Sequence, residues 1–153
     1  MTRREKAISL FYEGYNCSQS VLLAFSDLID DSEENLARLS FLLGGGVSRL
    51  REVCGAVSGM GMAAGMIFPA SVPCTGKEKA ENYKMMQSLA FEFKEKHGSY
   101  ICRELLNIDN PGAQSPTPEA RTPEYYKKRP CPELVAYAAQ LTEDFLNEHG
   151  KLK

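Results

Sequence analysis

The chain lacks the features that mark several common classes of small protein. It has no excess of basic residues, because 18 lysines and arginines are balanced by 20 aspartates and glutamates to a formal net charge of −2, so a nucleic-acid partner is not expected. No apolar segment follows the charged N-terminus as a secretion signal would. We therefore expect a cytoplasmic protein with reduced cysteines, and the length of 153 residues predicts one domain spanning 1–153.

A membrane partner is not expected either, although the segment 53–76 contains no charged side chain. The segment is long enough by count to cross a bilayer. However, it contains five glycines, and Pro69 and Pro73 interrupt its second half. The uninterrupted part, 53–68, has the length of a buried core helix, so we expect it to be surrounded by the protein itself.

No segment has the alternating pattern of a β-strand, and apolar residues recur at helical spacing instead. Glycines and capping residues mark where helices end and begin. The main helices are predicted at 3–13, from Cys17, at 33–43, at 54–68, at 76–97 and from Cys131, with a short one at 100–106. We predict an all-α, single-domain bundle of five or six helices packed around the central glycine-rich helix at 54–68. Its glycines are spaced four apart, which indicates that another helix, or less commonly a cofactor, comes close to its backbone. The four prolines within 110–123 predict a loop.

Cysteine occurs five times without forming any Cys-x-x-Cys pair. Four of the five are predicted to stand where a helix begins: Cys17, Cys54, Cys102 and Cys131. The N–H groups and partial positive charge of a helix N-terminus favour a thiolate, which is the form that attacks disulfides and binds metals. Four such placements indicate sulfur chemistry rather than packing. Cys74 lies in a loop, where it is either a resolving thiol or a chance cysteine.

The spacing of the cysteines disfavours the common local motifs. Their separations are 37, 20, 28 and 29 residues, whereas zinc fingers, covalent haem sites and ferredoxins use closely spaced ligands. The thiols can therefore converge only in the folded chain. Helix N-termini that point to one place would form an electropositive pocket suited to thiolates, to a reversible disulfide or to an anionic metal–sulfur cluster.

Two further features near the cysteines have more than one interpretation. Arg49, Arg51 and Arg103 are close to cysteines in the sequence, so they either lower thiol pKa values or are surface charges. The run Gly44–Gly46 is compatible with an anion-binding nest. It lacks the Lys-Ser/Thr that follows the glycines of a phosphate-binding loop.

Several of these segments together resemble the C_GCAxxG_C_C family of redox-active proteins. The resemblance is carried by 16–19, the glycines at 44–46, the segment 53–59, the segment 102–106 and Cys131. It extends over roughly residues 7–137. The resemblance implies a small helical bacterial or archaeal protein whose four motif cysteines are Cys17, Cys54, Cys102 and Cys131. Cys74 lies outside the family pattern.

The leading functional hypothesis is a redox-active protein that uses these cysteines in thiol–disulfide exchange or electron transfer. Two of the four thiols would cycle between dithiol and disulfide. Cys17 or Cys54 is expected to be the nucleophile, because small residues follow each of them and leave access. Cys102 or Cys131 would then resolve the mixed disulfide. Four cysteines permit three pairings, and the sequence does not choose among them. The redox partner, a protein or a small thiol, is not identified by the sequence.

Two alternatives remain open at this point. In the first, the four cysteines are the ligands of an all-sulfur site, which suits zinc or an iron–sulfur cluster. In the second, the protein is a helical scaffold whose glycine-rich helix packs in a homodimer and whose cysteines are incidental. Thiol counting and metal analysis distinguish these alternatives from the redox hypothesis.

Overall fold

The computed structural model describes residues 1–68, 70–108 and 114–152. These ranges contain eight helices: α1 (Arg3–Tyr12), α2 (Cys17–Leu23), α3 (Glu33–Phe41), α4 (Gly55–Ile67), α5 (Gly76–His97), α6 (Cys102–Leu105), α7 (Pro123–Lys128) and α8 (Cys131–Glu148). A 3-10 turn occupies Ser26–Leu28. Within the described ranges the only extended pairing is a single antiparallel bridge between Val53 and Ile101. The all-α prediction is confirmed, but the predicted number of helices is too low.

The helix that the sequence did not predict is α7. Pro123 was assigned to the end of a proline-rich loop, whereas it opens α7 behind Thr122, whose side chain accepts a hydrogen bond from the Tyr125 N–H. Proline is favoured in the first turn of a helix, because its missing N–H would have no intrahelical partner there. The described remainder of the loop, 114–122, contains no helix. The part of the loop prediction at 110–113 lies outside the described residues.

The glycines of α4 allow α2 to approach its backbone closely. A Cβ atom added at Gly59 would lie 2.7 Å from the Cβ of Val21, and one added at Gly55 would lie 3.1 Å from the Cβ of Cys17. No ordinary side chain fits into such a gap. The close packing of α4 against a neighbouring helix, predicted from its glycines, is therefore confirmed. The N-terminus of α4 lies beside that of α2.

The core forms where α4, α2, α8 and α5 meet. Helix α4 packs against α2, α5 and α8, while α1 packs along α8. The largest fully buried side chains include Phe11, Phe25, Phe93, Leu22 and Met60. Burying such side chains contributes roughly 1.5–3 kcal/mol each. Because these contacts hold α2, α4 and α8 together, the ends of these helices keep fixed positions.

None of the helices in the described ranges has both the length and the apolar composition that a bilayer crossing requires.

Candidate functional site

The first site residue, Cys17, is held at the first position of α2 by a reciprocal cap. Asn16 accepts a hydrogen bond from the Gln19 N–H at 3.0 Å, and the Gln19 side chain accepts one from the Asn16 N–H at 3.1 Å. The Asn16 amide also donates to the carbonyl oxygen of Phe41. Gly44 has no room for a side chain, because a Cβ there would lie 2.3 Å from the Asn16 Cγ. Asparagine is among the residues preferred at this N-cap position.

The bridge between Val53 and Ile101 brings the backbones of Cys54 and Cys102 close together in space. The Cys54 N–H donates to the Tyr100 carbonyl at 2.8 Å, and the Cys102 N–H donates to the Glu52 carbonyl at 2.6 Å. Each cysteine follows the residue that makes the bridge. Cys54 then caps α4, and Cys102 is the first residue of α6.

Cys131 is the first residue of α8, directly after Pro130. With Cys17, Cys54 and Cys102 already placed, all four predicted helix-start positions are observed. Cys74 is different, because it precedes α5 in a loop and its thiol donates to the Ser71 carbonyl oxygen at 3.0 Å.

The four helix-start cysteines line one cavity of about 410 Å³. Cys54, Cys102 and Cys131 are buried in the protein, and Cys17 is partly exposed. Cys74 does not line this cavity. Separate helices therefore bring together the four residues that the sequence singled out and leave the fifth cysteine outside.

A left-handed turn forms one wall of the cavity. Consecutive residues from Gly45 to Arg49 have positive φ values, including 66° at the β-branched Val47, and Arg51 follows at 60°. A non-glycine residue in this region costs roughly 1–2 kcal/mol. Gly46 has a further reason to be glycine, because a Cβ there would lie 2.6 Å from the Cβ of Cys102. Such strained segments cluster at functional sites.

The turn carries Arg51 into the cavity beside a thiol. The Arg51 side chain is buried, at 6% exposure. Its Nη1 donates to the Sγ of Cys102 at 3.5 Å, and its Nε donates to the Gln114 Oε1 at 2.9 Å. Arg103 instead pairs with Glu52 at 2.9 Å and does not line the cavity. Arg51 therefore fits the interpretation that an arginine lowers a thiol pKa, whereas Arg103 fits the interpretation of a surface charge.

Three of the four thiols have raised pKa values, contrary to the expectation from their helix-start positions. Burial raises the pKa of the Cys54 thiol to about 12. Burial also raises the pKa of Cys102, although Arg51 acts in the opposite direction. A hydrogen bond to Cys131, followed by burial, raises the pKa of Cys17 well above its usual value. Desolvation of a thiolate outweighs the partial charge of a helix N-terminus at these positions.

Cys131 is the exception. The hydrogen bond from the Cys17 thiol lowers the pKa of Cys131, burial opposes this change, and the charges of Arg129, Arg51 and Arg121 lower the pKa further. The two sulfurs thus share one proton unequally, in the manner of coupled acids. Cys131 is therefore the easier of the two thiols to ionise, and Cys17 is the harder.

Two of the cations around Cys131, Arg121 and Arg129, come from a segment whose sequence pattern did not indicate a site residue. Arg121 donates to the carbonyl oxygens of Phe11 and Tyr15, and its guanidinium lies 4.0 Å from the centre of the Phe11 ring. Arg129 forms an ion pair with Glu119. Arg129 is two residues before Cys131, so proximity in sequence would have found it. Nothing in the local pattern distinguishes Arg121.

Tyr125, from the same segment, also lines the cavity. Burial, and then the charge of Cys131, raise the pKa of Tyr125 to about 12. The phenol is therefore neutral at physiological pH and adds no negative charge to the cavity. No local pattern indicates this residue, because α7 itself was not predicted.

A metal site would require several ligand side chains to lie close together. Across 1–68, 70–108 and 114–152, no three His, Cys, Asp or Glu side chains are grouped closely enough to hold a metal ion. The four thiols share a cavity without forming a set of ligands in this arrangement.

The cavity cysteines lie within the part of the chain that matches a known protein family. Residues 15–145 match the family described as "Putative redox-active protein (C_GCAxxG_C_C)". The matched range includes all four cavity cysteines and most of the chain, so the chain belongs to this family. No curated protein and no solved structure matches the chain.

Proposed function

We propose that this member of the C_GCAxxG_C_C family is a dithiol–disulfide redox protein that reacts through Cys131 and Cys17. The observation that carries the proposal is that Cys17 and Cys131 line the same cavity. The interaction of the two thiols lowers the pKa of Cys131 and raises that of Cys17. The thiolate is the attacking form in disulfide exchange. A second thiol in the same cavity is placed to complete the exchange.

The reaction has two steps. The Sγ of Cys131 attacks one sulfur of a disulfide substrate, the substrate S–S bond breaks, and the first thiol leaves with the proton of Cys17. The Sγ of Cys17, now a thiolate, attacks the Sγ of Cys131 and releases the second half of the substrate, which takes a proton from water. The chain gives up two electrons and one proton, and an external dithiol reverses the change.

This assignment differs from the nucleophile expected from the sequence, Cys17 or Cys54. Cys54 is 3% exposed, and its raised pKa keeps it protonated at physiological pH. Cys17 is the more exposed residue of the reacting pair, but its proton is held by the contact with Cys131. We assign Cys17 the resolving role for this reason.

Cys54 and Cys102 have a supporting role in this proposal. Both have raised pKa values, chiefly because they are buried. As neutral thiols they add no negative charge near Cys131. A second thiolate in the cavity would repel the first and raise its pKa.

Mild oxidation of the reduced chain tests the proposal. We expect one equivalent of a small disulfide to remove two of the five thiols and to give a single cross-link between the peptides of Cys17 and Cys131, detected by mass spectrometry. The Cys74→Ser variant, altered outside the cavity, should form the same cross-link as the wild type. The Cys131→Ser variant should not form it. Five free thiols after oxidant treatment would exclude the proposal. Metal analysis of anaerobically purified protein belongs in the same experiment, because stoichiometric iron or zinc would favour the all-sulfur site instead.

A further inference from the structure

The charge of the cavity is strongly asymmetric. Among the residues that the structure describes, its lining includes four arginines, at 49, 51, 121 and 129, and one carboxylate, that of Glu119. Glu119 is already paired with Arg129. Among the described residues, no carboxylate pairs with the other three guanidinium groups. A thiolate at Cys131 would offset one of these charges, so the described part of the lining has a surplus of positive charge.

Two of the three remaining arginines are occupied by the protein. Arg51 donates to Gln114 and Cys102. Arg121 donates to two backbone carbonyl oxygens. These contacts with the protein hold both side chains in place without a ligand.

Arg49 is different. Its Nε donates to the Ser115 carbonyl oxygen at 2.6 Å, which fixes the orientation of the side chain. Its terminal Nη atoms make no hydrogen bond to any residue of the described ranges. Burial and the neighbouring charge of Arg51 lower the pKa of Arg49, as expected for a cation held where it lacks an anion. A positive φ of 68° keeps this residue in the strained turn, so the side chain is held there at an energetic cost.

The rest of the cavity is apolar and large enough for an organic molecule. Leu105 and Leu106 line it, and Phe41 and Leu42 line it while remaining 58% and 62% exposed. The volume of about 410 Å³ falls within the range of small-molecule sites. Exposed apolar side chains next to guanidinium groups fit a ligand with a hydrocarbon part and an anionic end.

We propose that the cavity binds a small organic anion, with its anionic group on the Nη atoms of Arg49 and its hydrocarbon part against Leu105 and Leu106. The inference rests on the proposed function for one further step, namely that the substrate is a disulfide that carries such an anionic group. The anionic group anchors the substrate and is unchanged in the reaction. The substrate S–S bond is reduced by Cys131 and Cys17 as described above.

A series of three small disulfides separates charge from sulfur reactivity. Dithiodipropionate carries two carboxylates, its diamide is neutral, and cystamine carries two ammonium groups. Thiol loss from the full-length reduced chain is followed for each, and the rate is divided by the rate of a free model thiol with the same disulfide. We expect dithiodipropionate to react about 10-fold faster than the diamide, since one well-placed charge contact is worth roughly a factor of 10. Cystamine should be the slowest, and added salt should reduce the differences.

The Arg49→Gln variant identifies the anchor. It should abolish the preference for dithiodipropionate over the diamide, because only the anionic group contacts Arg49. Arg49→Lys should retain part of the preference. Arg38→Gln is the matched control, because it removes the same charge from an exposed ion pair with Glu34 on α3. Equal normalised rates for the three disulfides, or an unchanged preference in Arg49→Gln, would overturn the proposal.

A binding measurement with suberate tests the anion site independently of the redox proposal. It has the length and charges of dithiodipropionate but no sulfur, so its binding to the reduced chain, measured by calorimetry, does not depend on exchange. Binding that is lost in Arg49→Gln supports the anion site even if no disulfide reacts. Absence of suberate binding overturns the anion site even if disulfides are reduced. Because the suberate measurement with the wild type needs no variant, poor folding of Arg49→Gln would not prevent the test.

Discussion

The backbone of Gly46 lies directly against the side chain of Cys102, so that a Cβ at residue 46 would be 2.6 Å from the Cβ of Cys102. The contact joins the left-handed turn to the first residue of α6. It also joins two walls of the cavity, since both residues line it. Gly46 has a φ of 64°, which few other residues adopt without strain.

The Gly46→Ala variant should therefore be destabilised. The strained φ and the steric conflict with Cys102 together should lower the free energy of unfolding by roughly 2–4 kcal/mol, measured by chemical denaturation under reducing conditions. Gly65→Ala is the matched control, because a Cβ at this α4 position meets nothing within 4 Å. That change should raise the free energy of unfolding by up to about 1 kcal/mol. Equal effects of the two substitutions would show that the contact between Gly46 and Cys102 is unimportant.

The alkylation of Cys131 should depend on Cys17. In the wild type, the lowered pKa of Cys131 gives a larger thiolate fraction at neutral pH, so iodoacetamide should modify Cys131 before Cys54 or Cys102. Cys17→Ala removes the interaction that is the main cause of the lowered pKa, and should move the pH profile of Cys131 alkylation to higher pH. The measurement is peptide mapping after timed alkylation.

Cys74→Ala is the control for that experiment, because Cys74 lies outside the cavity. It should leave the Cys131 profile unchanged. If Cys17→Ala left the profile unchanged as well, the proton sharing between Cys17 and Cys131 would be wrong.

Stability should fall at alkaline pH, and Cys54 should be one cause. Burial raises its folded-state pKa from the ordinary 9.0 to about 12. Stabilisation by the raised pKa is complete below pH 9 and is lost as pH rises toward 12, because the unfolded chain loses this proton first. Between these pH values, Cys54 should lower the free energy of unfolding by on the order of 1 kcal/mol for each unit of pH. Tyr125, whose pKa is also raised to about 12, should add to the decline above pH 10.

Cys54→Ser isolates the cysteine contribution. The hydroxyl does not titrate in this range and is a favourable helix cap in place of the thiol. The variant should show a shallower decline of unfolding free energy between pH 9 and pH 11, measured by urea denaturation at each pH. Parallel curves for the variant and the wild type would rule out Cys54 as a cause.

Arg51 should control the reactivity of the thiols near it. Its charge lowers the pKa of Cys102 and Cys131, so Arg51→Gln should slow the alkylation of Cys131 at pH 7 by roughly 3–10-fold. Arg103→Gln is the matched control, because Arg103 adjoins Cys102 in sequence but pairs with Glu52 outside the cavity. A similar loss in both variants would point to net charge rather than to the position of Arg51.

Much of the local structure could be predicted from the sequence because its causes are local. The cap made by Asn16 and Gln19 requires only four consecutive residues. The glycines at 55 and 59 indicated a close helix contact by their spacing, and they make one. Pro123 was misassigned because proline both interrupts a helix and begins one, and only the residues after it decide which occurs.

Access to the thiols was predicted less well, for a physical reason. The sequence predicts access to Cys54, because the small residue Gly55 follows it. Gly55 instead marks where α2 packs, since a Cβ there would meet the Cβ of Cys17. A glycine near a cysteine in sequence does not reveal whether the space beside it holds solvent or another helix.

The sequence by itself determined the all-α class, the family and the helix-start positions of Cys17, Cys54, Cys102 and Cys131, because periodicity, capping and motif spacing are properties of neighbouring residues. Only the tertiary structure decided which sulfur has the lowered pKa. Burial, contact with a second thiol, and charges from Arg51, Arg121 and Arg129 set the pKa of Cys131. These groups come from distant parts of the chain, and electrostatic interactions depend on distance in space and on exclusion of water, neither of which is written in local sequence.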